Sequence, residues 1–243
     1  STEDFSVQLE GTKVIYEDGR WFLIVPEKRN IKTPENQRYG VVSLDPGVRN
    51  FISFYSEVAT GHIGKGDFNH VTYLCLQLDN IITLMSKAKC RKKRKLKLAK
   101  QKLMWRIADL VDDLHKKTAH FLVTRYDTLL IPTFETSKMV TKLNSKVSRN
   151  MLSFAHYRFK QFLKIKAEEY SCNVIEVSEA YTSRTCSYCG KLHNKNSLKR
   201  MKCECGVNVD RDLNGARGIM LKNFSLAKPL ALWAHTGFIN QNC

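Results

Sequence analysis

The sequence lacks the features that place a protein in or across a membrane. No apolar run reaches the roughly 18 residues that a spanning helix needs, so we expect no membrane partner. The chain opens with Ser1-Thr2-Glu3-Asp4, which is polar and acidic and has neither the basic nor the apolar part of a signal peptide. We therefore expect an intracellular protein. Because the first methionine is Met85, either an initiator methionine was removed or the chain is a fragment of a longer protein.

Acidic residues are also scarce. The chain has 40 Lys and Arg against 23 Asp and Glu, a formal charge of +17. No acid occurs from Lys87 to Arg106, where eleven residues are basic, or from Thr136 to Ala167, where eight are. So large a charge favours a polyanionic partner, and we expect nucleic acid rather than an acidic protein. The candidate phosphate-binding residues are Arg91, Lys92, Lys93, Arg94, Lys95, Lys97, Arg149 and Arg158.

The basic runs are also compatible with two simpler roles. Their side chains could form solvated helix faces, or Arg91 to Arg94 could be a nuclear-localisation signal. However, apolar residues recur at a spacing of three or four from Leu96 to Leu114. This spacing predicts a folded helix with one apolar face and one basic face that can follow a phosphate backbone.

The pattern of apolar segments predicts an α/β fold. Strands and helices alternate along the chain, which implies a mixed sheet covered by helices. The two segments around Glu17–Arg20 should form one hairpin, and those on either side of Asp45-Pro46-Gly47 a second. The predicted strands are 12–16, 21–25, 40–45, 51–55, 128–132 and 173–177, and the predicted helical regions are 71–125, 150–169 and 214–223.

Four of the eight cysteines have the spacing of a zinc ribbon. Cys186 and Cys189 form a C-x-x-C pair, and Cys203 and Cys205 form a C-x-C pair after thirteen intervening residues. Four thiolates can surround one tetrahedral zinc, and a glycine after each pair suits the tight knuckle. With all four positions filled, such a zinc ion is structural rather than catalytic. The shorter second pair leaves its geometry open, and His193 is an alternative ligand.

Three acids lie where strands end or a helix begins. Asp45 closes a strand, Glu179 follows the strand that ends at Val177, and Asp212 opens the last helix. Strand ends converge at one edge of an α/β sheet, where three carboxylates could hold two Mg²⁺ ions about 4 Å apart for in-line attack on a phosphodiester. The structural alternatives are a turn at Asp45 and helix caps at Asp210 and Asp212.

Four motifs carry a resemblance to a known family. They are Leu44–Phe51, Asp127–Val140, Glu179–Gly190 and Asp210–Ile219. In this order they resemble the catalytic half of TnpB-type RNA-guided nucleases, and most closely the Fanzor relatives of eukaryotes and their large DNA viruses. The resemblance implies a RuvC-like, RNase H-type mixed sheet flanked by helices, with an inserted zinc ribbon. It also implies Mg²⁺-dependent DNA cleavage directed by a guide RNA, with a nuclear location in a eukaryotic or viral setting.

The resemblance also implies a division of the chain. Residues 1–38 resemble the end of a preceding β-rich, wedge-like domain, and 39–182 with 207–225 resemble the nuclease domain. The zinc ribbon is 183–206, and 226–243 is a C-terminal tail. The recognition and remaining wedge regions, which in the family grip the guide RNA and read the target's flanking motif, lie outside this sequence.

The third carboxylate departs from the pattern of the superfamily. Most members carry a glutamate at the position of Pro132, which cannot bind a metal. Glu135 lies nearby, but Fanzor-like sequences move the glutamate to the segment that contains Glu179. If Glu176 faces one side of its strand, Glu179 faces the other. The resemblance therefore favours Asp45, Glu179 and Asp212 as the catalytic set.

Two different functions remain open. A zinc-containing regulator could bind nucleic acid without cleaving it, although acids facing phosphate would serve no purpose there. A transposase or resolvase with the same fold could cleave DNA without an RNA guide.

Overall fold

A five-stranded mixed sheet forms the centre of the computed structural model, which describes residues 10–17, 19–28, 30–47, 49–133, 154–193 and 199–227. The strand order is β5-β4-β3-β6-β7, with β3 antiparallel to β4, β4 antiparallel to β5, and β6 parallel to both β3 and β7. The predicted α/β class is therefore confirmed. The five strands are β3 Tyr39–Pro46, β4 Ile52–Ser56, β5 Thr60–Ile63, β6 Tyr126–Pro132 and β7 Asn173–Val177.

Four helices in the described part of the chain surround this sheet. Helix α2 is the longest of them, with 36 residues, and α1 packs against it. The start of α1 lies beside Leu110 and Leu114 of α2, so the two helices run antiparallel. The helices are α1 Asp67–Lys87, α2 Cys90–Arg125, α3 His156–Glu169 and α4 Arg211–Ala227.

The two faces of the sheet have separate cores because side chains alternate along each strand. Leu44 and Leu129 face α2 and α3, where they pack with Leu122 and Phe159. On the opposite face Leu130 and Val177 pack against Ile219 and Met220 of α4. Residues of even and odd number on β3 therefore belong to different faces, and the face covered by α4 receives Ser43 and Asp45.

The predicted hairpins are both present. β1 Lys13–Glu17 pairs with β2 Arg20–Ile24, and the turn between them contains Gly19 at φ +80°, where glycine is favoured. Arg20 at the hairpin tip donates two hydrogen bonds to the Asp109 carboxylate of α2, at 2.7 and 2.9 Å. The pair β3–β4 forms the second hairpin.

Several boundaries differ from the sequence prediction. The predicted helical region 71–125 is two helices, because Ala88 is extended (ψ 141°) and lets α2 fold back on α1. β5 was missed because Thr60-Gly-His-Ile63 is short and half polar. Helix α3 begins at His156, after Ala155 at φ +47°, and the predicted start at 150–153 lies outside the described residues. Helix α4 begins at Arg211, three residues earlier than predicted.

No helix in the described ranges combines the length and the apolar character needed to cross a bilayer.

Candidate metal centres and nucleic-acid interface

The four predicted cysteines form one cluster. Their sulfur atoms all lie within 4.8 Å of one another. The Sγ atoms of Cys186 and Cys205 are 3.8 Å apart, and those of Cys189 and Cys203 are 3.5 Å apart. Zinc bonded to four thiolates at about 2.3 Å requires sulfur separations of about 3.8 Å, so the residues present fit this metal. The cluster is thus compatible with a zinc ribbon.

Each cysteine pair lies in a knuckle whose backbone turns toward sulfur. Gly190, at φ +78°, donates its N–H to the carbonyl of Cys186 at 2.8 Å, and Gly206, at φ +88°, donates to the carbonyl of Cys203 at 3.0 Å. Burial raises the pKa of the Cys186 thiol, but hydrogen bonds from the backbone of Cys189 and Tyr188 and from neighbouring thiols lower that pKa to about 7, while the pKa values of the Cys189 and Cys205 thiols are raised by the crowding of sulfurs. A thiolate is the form that binds metal.

The geometry also bears on the two questions that the sequence left open, the fit of the C-x-C pair and His193 as an alternative ligand. The C-x-C pair delivers both of its sulfurs to the cluster, because β8 Arg200–Lys202 and β9 Asn208–Asp210 form a short hairpin around it. His193 is not among the side chains that the described part of the chain brings to this cluster. The alternative histidine ligand therefore has no geometric support.

The ribbon is fastened to the start of α4. The side-chain carbonyl of Asn214 accepts hydrogen bonds from the N–H and the hydroxyl of Ser187, at 3.0 and 2.9 Å, and its amide donates to the carbonyl of Thr185 at 2.8 Å. Arg217 donates to the Ser187 carbonyl and lies 4.1 Å over the ring of Tyr188. These contacts couple the cysteine cluster to the helix that carries Asp212.

Asp45 lies on the face of the sheet that α4 covers. Its neighbour two residues back, Ser43, donates its hydroxyl to the carbonyl of Ala216 at 2.7 Å, so β3 and α4 are in direct contact. The carboxylate of Asp45 fills the space that a side chain at Gly215 would take. Helix α4 can approach the strand at this point only because residue 215 is a glycine.

The negative charges of Glu179 and Asp212 both raise the pKa of Asp45. Burial raises the pKa of Asp45 well above its usual value, and the negative charges of Glu179 and Asp212 raise it further, while Arg211 lowers it. Burial also raises the pKa of Glu179. The structure therefore brings together the three acids that the sequence singled out, and the charges of two of them disfavour ionisation of Asp45.

Glu179 is directed to this site by the alternation of β7. Glu176 faces α3, where its carboxylate binds Lys160 at 2.8 Å and Lys164 at 2.5 Å. Val177 faces α4. Glu179 lies two residues beyond the end of β7, and it is near enough to Asp45 for its charge to raise the pKa of that carboxyl. The other candidate for the third carboxylate, Glu135, lies outside the described residues.

Asp210 and Asp212 have different surroundings. One carboxylate oxygen of Asp210 accepts the backbone N–H groups of Asp212 and Leu213, at 2.8 and 3.4 Å, so Asp210 caps α4. Asp212 points its carboxylate to Arg49, whose Nη2 lies 2.6 Å from Oδ1. Of the two helix caps that the sequence analysis left open, the structure shows the one at Asp210.

The basic residues lie on α2, as the periodicity predicted. Arg91 to Lys95 and Lys97 lie on its first turns, with Arg91 to Lys95 exposed. Arg158 lies on α3, but its guanidinium is paired with the carboxylate of Asp112. Arg149 lies outside the described residues. Among the residues that the structure describes, the predicted phosphate-binding surface is therefore the start of α2.

Two contacting residues were missed by the sequence analysis. Arg49 and Asn214 both lie inside the motifs quoted above, but neither has a residue type that by itself indicates a metal site. Their positions follow from strand β3 and helix α4 meeting, which a motif does not encode. The signal that could have found them is their placement four residues after Asp45 and two residues after Asp212.

The fold has known counterparts. A solved structure titled as a Cas12f1–sgRNA–target DNA complex superimposes with a TM-score of 0.52 at 19% identity, covering 86% of this chain and 55% of that one. A Cas12f ternary complex gives 0.55 at 20% identity, covering 86% and 44%. At these identities the likeness defines the fold alone, which is the RuvC-like class that the motifs predicted.

Sequence comparisons find similar proteins. Residues 156–219 match the model described as the Cas12f1-like TNB domain. A protein of Acanthamoeba polyphaga mimivirus named as a transposase is 33% identical over 213 residues, 84% of this chain and 44% of its own. An Escherichia coli protein named as an RNA-guided DNA endonuclease, InsQ, is 24% identical over 220 residues, 83% of this chain and 54% of its own.

These matches confirm the resemblance drawn from the motifs: the chain is TnpB-like, and it is similar to proteins named as transposases and RNA-guided DNA endonucleases. The chain spans about half the length of the relatives that it matches.

The contact between Gly215 and Asp45 generates a prediction. Replacing a helix-interior glycine with alanine ordinarily stabilises a helix by about 1 kcal/mol. Gly215→Ala should instead lower the thermal unfolding midpoint and weaken Mn²⁺ binding, because the new methyl group displaces the Asp45 carboxylate.

Gly218→Ala, three residues along the same helix, is the matched control. An added Cβ there would meet Cβ of Thr182 at 3.2 Å and would leave the Asp45 carboxylate in place, so Mn²⁺ binding should be weakened less than in Gly215→Ala. Calorimetry and Mn²⁺ titration of the two variants measure the difference. Equal Mn²⁺ affinities would show that Asp45 does not depend on Gly215.

Proposed function

We propose that this chain carries the nuclease centre of an RNA-guided DNA endonuclease and that Asp45, Glu179 and Asp212 form its active site. One observation carries the proposal: three acids from distant parts of the sequence meet on the α4 side of the sheet, where two of them raise the pKa of the third. A fold would gain no stability from such crowding. Carboxylates in this arrangement are suited to divalent cations.

Each acid has a distinct position in the proposed mechanism. Asp45 is held in place by β3 and by the close approach of α4, so its oxygens are directed without side-chain motion. Glu179 and Asp212 flank it from the end of β7 and the first turn of α4. When bound there, two Mg²⁺ ions would activate the attacking water and stabilise the leaving oxygen of a phosphodiester.

The cysteine cluster is proposed to hold one structural zinc. Its four sulfurs fill a tetrahedral site and leave no position for substrate. Through Asn214 and Arg217 the ribbon supports the start of α4 and hence Asp212. The zinc would therefore contribute to the nuclease centre through folding rather than chemistry.

Guide RNA and target DNA are the proposed partners. The Cas12f1 structure, a complex with sgRNA and target DNA, supports them by analogy, and the basic surface of α2 supplies a phosphate-binding element. The proposed division follows the sequence analysis, with 39–182 and 207–225 as the nuclease domain, 183–206 as the ribbon, 1–38 as the end of a wedge-like domain and 226–243 as a tail. We propose an intracellular protein, with a nuclear location if the chain comes from a eukaryote or from its large DNA virus.

The two alternative functions can each be distinguished from the guided nuclease. A non-cleaving regulator has no use for an acid cluster facing phosphate, and the three acids favour the nuclease over it. One observation distinguishes an RNA-independent transposase from the RNA-guided enzyme. An RNA that co-purifies with the chain, detected by the ratio of absorbance at 260 and 280 nm, supports the guided enzyme.

The zinc proposal predicts one zinc per chain. Cys203→Ser should release the metal and loosen residues 184–193 and 199–210, because binding and local folding are linked. Elemental analysis and hydrogen exchange measure the two effects. Cys172→Ser, which alters a buried thiol outside the cluster, should keep its zinc. Purified chain without zinc would contradict the proposal.

Metal-dependent cleavage should require each of the three acids. Asp45→Ala, Glu179→Ala and Asp212→Ala should each abolish cleavage of single-stranded DNA in Mg²⁺ or Mn²⁺, because each removes a ligand at the metal centre. A gel assay with circular dichroism as the folding check measures this.

Two neighbouring acids provide the controls. Asp210→Ala should weaken the cap of α4 and reduce activity only through stability. Glu135→Ala should cut activity partly. Loss of cleavage in Glu135→Ala together with full cleavage in Glu179→Ala would move the third carboxylate to the segment after β6.

The basic surface of α2 should bind the phosphate backbone rather than bases. Replacing Arg91, Lys92, Lys93 and Arg94 with Gln should weaken binding to all sequences alike and flatten the log–log salt dependence by about three to four units, since each phosphate contact that forms releases about one counterion and four such contacts are removed. Fluorescence anisotropy at several salt concentrations measures the slope. An unchanged slope would mean that these residues only form a solvated face or a localisation signal.

A further inference from the structure

The positively charged side chain of Arg49 contacts one of the three carboxylates, that of Asp212. Nη2 of Arg49 lies 2.6 Å from Oδ1 of Asp212, the distance of a charge-assisted hydrogen bond. Nε of Arg211 lies 3.6 Å from the same oxygen. The side chain of Asp212 is only 16% exposed, and that of Arg49 is 31% exposed, so the pair is partly shielded from water.

The position of Arg49 is fixed by the turn that follows Asp45. The N–H of Gly47 donates to the carbonyl of Phe51 at 3.2 Å and closes the turn. His156 of α3 donates from Nε2 to the carbonyl of Gly47 at 3.1 Å, and burial lowers the pKa of this histidine to about 4, which leaves the ring neutral. Arg49 is therefore carried by the same turn as one carboxylate and pairs with another across the site.

In this position Arg49 competes with the proposed metal for the carboxylate of Asp212. The proposed metal and the guanidinium of Arg49 both require the carboxylate of Asp212, and two cations at one carboxylate repel each other. A guanidinium released from Asp212 would remain beside the site, with a planar array of donors that matches the oxygens of a phosphate. Arg49 is thus within reach of the group on which the proposed centre acts.

We propose that Arg49 is a catalytic residue that exchanges partners. It neutralises Asp212 until a divalent cation enters the carboxylate cluster, and it then binds a non-bridging oxygen of the scissile phosphate in a nucleic-acid strand. The inference rests on the proposed function, because it takes Asp212 to be a metal ligand.

The first test measures metal binding without any cleavage. Mn²⁺ is titrated into the full zinc-loaded chain and followed by electron paramagnetic resonance. Arg49→Gln should bind Mn²⁺ about 3- to 30-fold more tightly than the unchanged chain, because the competing cation is gone. Arg49→Lys keeps the charge and should lie between the two.

A matched control separates this effect from a general loss of charge. Arg200→Gln removes the same charge from the ribbon, where the guanidinium donates to the side chain and the carbonyl of Asn208. Its Mn²⁺ affinity should be unchanged. If Arg49→Gln fails to fold by circular dichroism, the Arg49→Lys variant decides the comparison.

The second test concerns the phosphate. At Mn²⁺ concentrations that saturate both proteins, Arg49→Gln should cleave single-stranded DNA about 100-fold more slowly, the usual loss when one donor to the transition state is removed. The variant should therefore combine tighter metal binding with slower cleavage.

Three outcomes would overturn the inference or its basis. Unchanged or weaker Mn²⁺ binding in Arg49→Gln would show that Arg49 only holds Asp212 in place. Tighter Mn²⁺ binding with undiminished cleavage would remove the role at the phosphate. If Asp212→Ala binds Mn²⁺ as well as the unchanged chain, the proposed metal centre itself fails, independently of Arg49.

Discussion

The packing of helix α4 against strand β3 is the constraint on which the rest of the structure depends. It is a close approach, made by the hydrogen bond from Ser43 to the carbonyl of Ala216 and by a glycine at position 215. The apolar contact of α4 with the neighbouring strands is made by Ile219 and Met220, which pack against Leu130 on β6 and Val177 on β7. Burying these side chains provides the favourable free energy that holds three acids near each other despite their mutual repulsion.

The two faces of the sheet have different roles. The face covered by α2 and α3 contains the larger apolar core and fixes the strands, while the α4 face carries the polar groups of the candidate site. A hydrogen bond connects the two sides: His156 of α3 binds the carbonyl of Gly47, in the turn that follows Asp45. A core histidine thus supports the backbone of the candidate site from behind.

The sequence allowed the parts with strong local signals to be predicted. The strands around Leu44, Leu130 and Ile175 have apolar runs that local pattern detects, and the four cysteines are recognised by their spacing. The facing of Glu179 also followed from alternation along β7. The break at Ala88 could not be predicted, because neither proline nor glycine marks it and the reversal is stabilised by α1 packing on α2. The pairing of Arg49 with Asp212 spans 163 positions and exists only once the sheet has formed.

The insertion of the ribbon between Glu179 and Asp212 has an entropic consequence. A long segment that contains both cysteine knuckles separates these two acids along the chain. Without a cross-link, bringing the ends of a loop of that length together costs conformational entropy. A zinc ion at the cysteine cluster would join residues 186–189 to residues 203–205, about seven residues along the chain from each acid. The loop then behaves as two short tethers, and the spacing of the acids at its ends becomes a property of the cross-link rather than of the sheet alone.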